Sequence, residues 1–151
     1  MTEFYAGQIA YQDLLEPKTL KVASGVNDIK RGDICTMNSD GYLQPGNLIS
    51  SATVLKDGLF VALQKVASPS TDGGASCQVA CVRSRVVMEV GVVTIGMPVR
   101  TANNSIRRLV GAGASPAANT IVGTVYEFPG APDKIKSAAG DLAVIDLGIG
   151  V

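Results

Sequence analysis

Three short apolar motifs occur twice in this chain, in the same order and at nearly the same separation. Gly32-Asp33-Ile34-Cys35, Leu59-Phe60-Val61-Ala62-Leu63 and Gln78-Val79-Ala80-Cys81-Val82 recur in kind as Gly96-Met97-Pro98-Val99, Ile121-Val122-Gly123-Thr124-Val125 and Leu142-Ala143-Val144-Ile145, at offsets of 62 to 64 residues. Each motif is too short for a stable helix and rich in Val and Ile, so each reads as a strand bounded by turns. The expected organisation is an unrepeated arm over residues 1–28, followed by a duplicated β-domain over 29–151 with halves of about 29–93 and 94–151. The two halves are expected to complete one another's core.

Composition agrees with thin β-layers. Apolar residues make up 46% of the 151, yet aromatics only 5%, with no Trp; this palette of Val, Ala, Ile and Leu suits strands better than a deep helical core. A chain of this size buries roughly 68 to 70% of its unfolded surface on folding, enough for one domain. Thirteen Lys and Arg balance thirteen Asp and Glu, so no global field draws the protein to nucleic acid or to a membrane. Sparse surface charge protects poorly against association, and an oligomer or permanent partner is expected.

Cys35, Cys77 and Cys81 cannot complete a disulfide framework, and Met1-Thr2-Glu3-Phe4-Tyr5 lacks the basic and apolar regions of a secretory signal. Synthesis in a reducing cytoplasm is the expectation. The strongest apolar stretch, Val86 to Val99, is interrupted by Glu89, Gly91, Gly96 and Pro98, short of the roughly 18 to 20 residues that span a bilayer.

Within residues 1–28, Phe4, Tyr5 and Tyr11 alternate with Gln8, Gln12 and Asp13, and Pro17 forbids a long helix. The segment reads either as an arm that lies on a partner or as a short helix or edge strand that closes the domain. Beyond it, Asn38-Ser39-Asp40-Gly41 predicts a tight hairpin, because the Asp-Gly pair supplies positive φ. Strands are expected over Leu59 to Val66, Cys77 to Val90, Val99 to Ala102, Ile106 to Val110, Thr120 to Phe128 and Leu142 to Leu147, with a helical turn from Asp133. In the Cys77 to Val90 run, Arg83 and Arg85 share a parity, which places two guanidiniums on one strand face. That face reads as solvated, or as an interface anchor, since Arg is enriched where surfaces meet.

Catalytic chemistry finds little purchase. The chain has no His, which removes the commonest general base, the Ser-His and Cys-His nucleophile pairs and the commonest metal ligand. Cys77-x-x-x-Cys81 with Cys35 leaves a structural zinc one ligand short, and two thiols four apart on a strand read as buried core. Gly111 to Asn119 lacks the Gly-Lys-Ser/Thr ending of a phosphate loop. Met88 is followed by Glu89 where a biotin or lipoate carrier has its lysine. No enzyme activity, metal or cofactor is expected; the candidate interface residues are Phe4, Tyr5, Tyr11, Arg83 and Arg85.

The order Gly-Asp-Ile-Cys, Gly-Leu-Phe-Val-Ala-Leu, Cys-Gln-Val-Ala-Cys-Val, Gly-Val-Val, Gly-Met-Pro-Val, Ile-Val-Gly-Thr-Val-Tyr and Gly-Asp-Leu-Ala-Val-Ile-Asp-Leu resembles the capsid cement, or decoration, proteins of tailed bacteriophages, over about residues 30–151. In that family a Gly-Asp-x-Val hairpin, a Gly-Val-Ala-like strand, a Gly-x-x-Val hairpin, an Ile-Gly-x-Val strand and a final Val-x-Leu strand come in this order. The loop from Ser68 to Ala75 and the region before Val22 are longer here. The resemblance implies a small all-β, β-barrel-like or β-tulip protein, commonly a homotrimer, that sits at threefold positions of the virion and clamps neighbouring major capsid protein subunits. The alternative from another class is a glycan-binding or adhesive β-module, against which the absence of Trp platforms argues.

Overall fold

A computed structural model describes residues 4–9, 17–46, 58–102, 105–114, 116 and 120–148. These residues form strands and turns without a helix, so the all-β expectation holds. The strands are β1 (Gln8–Ile9), β2 (Lys18–Lys21), β3 (Ile34–Met37), β4 (Leu43–Pro45), β5 (Phe60–Ala62), β6 (Ser76–Ala80), β7 (Arg85–Val90), β8 (Pro98–Ala102), β9 (Ser105–Gly111), β10 (Gly123–Glu127) and β11 (Leu142–Leu147). They make a five-stranded sheet in the order β2-β6-β5-β3-β4 and a six-stranded sheet in the order β1-β7-β11-β10-β8-β9.

Apart from β1, the two orders are alike. Replacing β2, β6, β5, β3 and β4 by β7, β11, β10, β8 and β9 converts the first sheet into the second, and every neighbouring pair is antiparallel in both. The last strand also returns to the first in each: β9 pairs parallel with β7 through Glu89↔Arg108 and Val90↔Leu109, and Val22 forms a parallel bridge with Leu43. Individual hydrogen bonds recur too. Gly32 N to Ala62 O (2.8 Å) and Ala62 N to Asp33 O (2.9 Å) are matched by Gly96 N to Val125 O (2.8 Å) and Val125 N to Met97 O (3.0 Å). Gly73 N to Val22 O (2.9 Å) is matched by Gly140 N to Val90 O (2.8 Å).

Strand alternation explains how two sheets share one interior. In β3, β5 and β6, Cys35, Ala62, Cys77 and Val79 point into a core of the first sheet with Val22, Ile29 and Leu43. Their neighbours Ile34, Val61 and Ala80 pack from the other face against Val86, Met88, Val90, Val99, Leu109 and Ile145 of the second sheet. Both faces of β3 and β5 and the end of β6 at Ala80 are therefore covered, whereas Gln78 of β6 stays exposed.

The predicted hairpin forms. Gly41 adopts φ 84°, and Asn38 Oδ1 accepts from Asp40 N (3.0 Å) and Tyr42 N (2.9 Å), closing the turn between β3 and β4. The expected strand from Leu59 narrows to β5 with a bridge at Val66, and the strand from Thr120 begins at Gly123. The helical turn expected from Asp133 is a simple turn, closed by Lys134 N to Ala131 O at 3.1 Å.

The Cys77 to Val90 run requires a larger correction. It is two strands in different sheets, joined by a turn in which Arg83 takes φ 79°. The turn is held by Ser84 N to Cys81 O (3.1 Å), Arg83 N to Leu147 O (2.8 Å) and Leu147 N to Ser84 O (3.0 Å). The parity that placed Arg83 beside Arg85 on one strand face does not survive this change of sheet.

Of residues 1–28, the described portions are paired at sheet edges. β1 lies antiparallel to β7 (Gln8↔Val87, Ile9↔Val86), and β2 lies antiparallel to β6. The edge-strand alternative thus describes these portions.

Candidate binding surface

The N-terminal strand is threaded between the two sheets at Gly7. Its N–H donates to Val87 O of the second sheet at 2.7 Å. On the other side, a Cβ added at Gly7 would lie 2.6 Å from Arg31 Cγ and 2.7 Å from Gly32 N, in the turn before β3, and 2.9 Å from Ala62 O of β5 in the first sheet. Only a residue without a side chain, free to hold φ 84°, fits this crossing. The two candidate aromatics flank it.

Phe4 lies beside Gly130, where an added Cβ would meet its ring at 3.4 Å. With Phe128, Val87 and Val144 it lines a groove of about 320 Å³ on the outer face of the second sheet, and it stays 37% exposed. Tyr5 is 43% exposed, and the Arg31 guanidinium stacks over its ring at 4.0 Å from the centroid. Tyr11 lies outside the described residues.

Arg83 is exposed at the turn between the sheets. Arg85 is half-buried on β7; its guanidinium covers the Tyr126 ring at 3.8 Å and its Nε lies 3.9 Å from Asp146 Oδ2. The structure therefore keeps the two arginines in separate settings. Neither lines the Phe4 groove or the cleft that contains Tyr5.

That cleft, about 440 Å³, is lined by Tyr5, Ala6, Lys30, Arg31, Lys65 and Arg107. The antiparallel bridge Ile29↔Val66 brings the adjoining Lys30 and Lys65 to one cleft, and Arg107 reaches in from β9 with its Nη2 donating to Arg31 O at 3.1 Å. All four cationic residues are exposed. Lys30 and Lys65 make no ion pair among the described residues. Sequence reasoning missed this cluster because its members are 34 and more residues apart, save for the adjacent Lys30-Arg31 pair.

Beneath the cleft, Asp33 is buried at 4% exposure. Its Oδ2 accepts from Lys30 N at 2.8 Å, and its Oδ1 faces Arg107 Nε at 3.5 Å, tying the first sheet to the second. Burial pushes its carboxyl above the ordinary value, against the opposing pull of the Lys30 amide and Arg107. The raised value means that stability associated with this group is greatest at low pH and falls as pH rises from about 4 through the folded-state pKa. Replacement Asp33→Ala removes both partners and is expected to lower stability by about 1 to 3 kcal/mol in a urea titration. Asp33→Asn, which can still accept from Lys30 N, should lose less and should flatten this part of the stability-pH curve. An Asn variant as weak as the Ala variant would show that the Arg107 pairing dominates.

Burial likewise holds the thiols of Cys35, Cys77 and Cys81 above their ordinary value, that of Cys77 to about 11. Cys35 and Cys77 are buried in the first core as inert apolar groups. Among the described residues no group of three His, Cys, Asp or Glu is placed to hold a metal ion. No described helix is long and apolar enough to cross a membrane. No protein-family model matches the chain, and no curated protein matches it.

Proposed function

We propose that this chain is a structural virion protein that decorates the outside of a phage capsid as a homotrimer and stabilises it by clamping neighbouring major capsid protein subunits. The observation that carries the reading is the like strand order of the two sheets, onto which the motifs resembling the decoration family fall in matching places. Gly32-Asp33-Ile34-Cys35 leads into β3 and Gly96-Met97-Pro98-Val99 into β8, and these strands hold equivalent positions in their sheets. The matched hydrogen bonds and the parallel return of the last strand to the first support a duplicated pair of small barrels. Such a scaffold suits a clamp, because avidity over several identical neighbours raises binding by roughly 10² to 10⁴ without a deep pocket.

Phe4 and Tyr5 are the proposed anchors, being exposed aromatics on a segment pinned at Gly7. Purified protein is expected to co-sediment with expanded heads, to raise their disruption temperature, and to run in light scattering at three times the 15.5 kDa chain mass. Phe4→Ala combined with Tyr5→Ala should weaken head binding by about tenfold or more, given the energies typical of aromatic hot spots. Unchanged binding by that variant would remove the aromatics from the interface. A strict monomer with no affinity for heads, and reproducible hits on a glycan array, would replace the cement reading by the adhesive one.

A further inference from the structure

We propose that the cationic cleft between the sheets is a docking site for an acidic peptide segment of a partner protein. The argument begins with an arrangement that is unfavourable in isolation. Lys30 and Lys65 each adjoin the bridged pair Ile29↔Val66 and line one cleft, and like charges gathered in one place repel. Arg31 and Arg107 line the same cleft, so four cations share about 440 Å³.

The groups facing the cleft do not neutralise it. Among the described residues its lining contains no carboxylate. Asp33 is buried beneath and already engaged by Lys30 N and Arg107. Asp28, on the adjoining surface, accepts from Ser68 N at 2.9 Å. Among the described residues, one buried carboxylate under four exposed cations leaves the cleft positive in a chain whose formal net charge is zero. The positive potential is therefore local to the site and does not come from the whole molecule.

Size and lining select the ligand class. The space admits a few side chains, and Tyr5 supplies an aromatic wall beside the charges, with Arg31 held flat over its ring at 4.0 Å. The guanidiniums of Arg31 and Arg107 present planar donors that match carboxylates. A short run of Asp and Glu meets both features. A nucleic-acid duplex would call for an extended basic stripe with phosphate contacts over many ångströms, and the cations here converge in one cleft. The cleft shares Tyr5 with the proposed capsid anchor, but its four cations are not part of that reading, and peptide binding is measured without heads.

The test uses the full chain and a fluorescently labelled octapeptide of alternating Glu and Asp, titrated at 50 mM salt and read by anisotropy. Saturable binding is expected, weakening as salt rises toward 300 mM because screening acts on exposed pairs. The double variant Lys30→Gln with Lys65→Gln should bind about tenfold more weakly, while its thermal midpoint stays unchanged or rises, since removing two of four like charges gathered in one cleft relieves repulsion. A merely structural role for the lysines would lower the midpoint instead. Amide shifts confined to residues around Lys30, Lys65 and Arg107 in a nitrogen-proton correlation spectrum would locate the peptide. Absence of peptide binding, equal binding by the double variant, or tighter binding of a single-stranded oligonucleotide of equal charge would each overturn the proposal.

Discussion

Gly123→Ala is expected to cost at least about 3 kcal/mol and to abolish the folded state under mild denaturation. Gly123 stands inside the six-stranded sheet, paired with Val99 of β8 on one side and Leu147 of β11 on the other. A methyl group there would collide with the carbonyl oxygen of Asp146 and approach Ile145 Cγ2 to 3.0 Å. Backbone on a paired strand cannot yield as a flexible side chain would. Moving it breaks Ile145↔Val86 and Asp146↔Arg85, two of the five pairs that join β11 to β7. Gly148→Ala, one residue past β11 with nothing within 4 Å of the added methyl, is the matched control and should change stability by less than about 0.5 kcal/mol. Equal urea midpoints for the two variants would refute the packing argument.

Gly7→Val is expected to act differently, by releasing one segment from an otherwise intact fold. A valine must take φ 84° and place its branched side chain against Arg31 Cγ, Gly32 N and Ala62 O. Strain of this kind amounts to about 1 to 3 kcal/mol before any contact is lost. Among the described residues the backbone of the segment is held by the two-residue strand β1 and the bond from Gly7 N to Val87 O, beside the side-chain contacts of Phe4 and Tyr5. Residues 4–9 should therefore detach and leave Val87 and Val144 uncovered. Hydrogen exchange should accelerate at the substituted position 7, whose amide loses Val87 O, while β3 and β11 keep their protection. The same variant should weaken acidic-peptide binding, since Tyr5 leaves the cleft and Arg31 loses its stacking partner. Global unfolding with simultaneous loss of protection in both sheets would show that the segment is an integral part of the core.

Local chemistry made much of the fold legible. The hairpin at Asn38 to Gly41 follows from an Asx acceptor and a residue free to adopt positive φ, both within four positions of one another. The repeated motifs mark strands that occupy equivalent places in their sheets, because the apolar runs record burial on both faces. The Cys77 to Val90 run was misread for an equally physical reason. Nothing in the identity of Arg83 marks it for the left-handed region, which disfavours side chains by about 1 to 2 kcal/mol. The turn exists because Leu147, 64 positions away, supplies an acceptor and a donor to it.

The candidate surface divides along the same line. Phe4 and Tyr5 stand out in the sequence as aromatics among polar neighbours, and both are exposed. The role of Gly7, the seating of Arg85 on Tyr126 and the meeting of Lys30, Arg31, Lys65 and Arg107 come from tertiary structure. By itself, the sequence determined an all-β chain, its tight hairpin and the spacing of its repeated strands, since period-two burial and turn propensity act over a few bonds. Which strands share a sheet, where the chain changes sheets and which charges are forced together were decided only by the fold, because each depends on contacts between residues tens of positions apart.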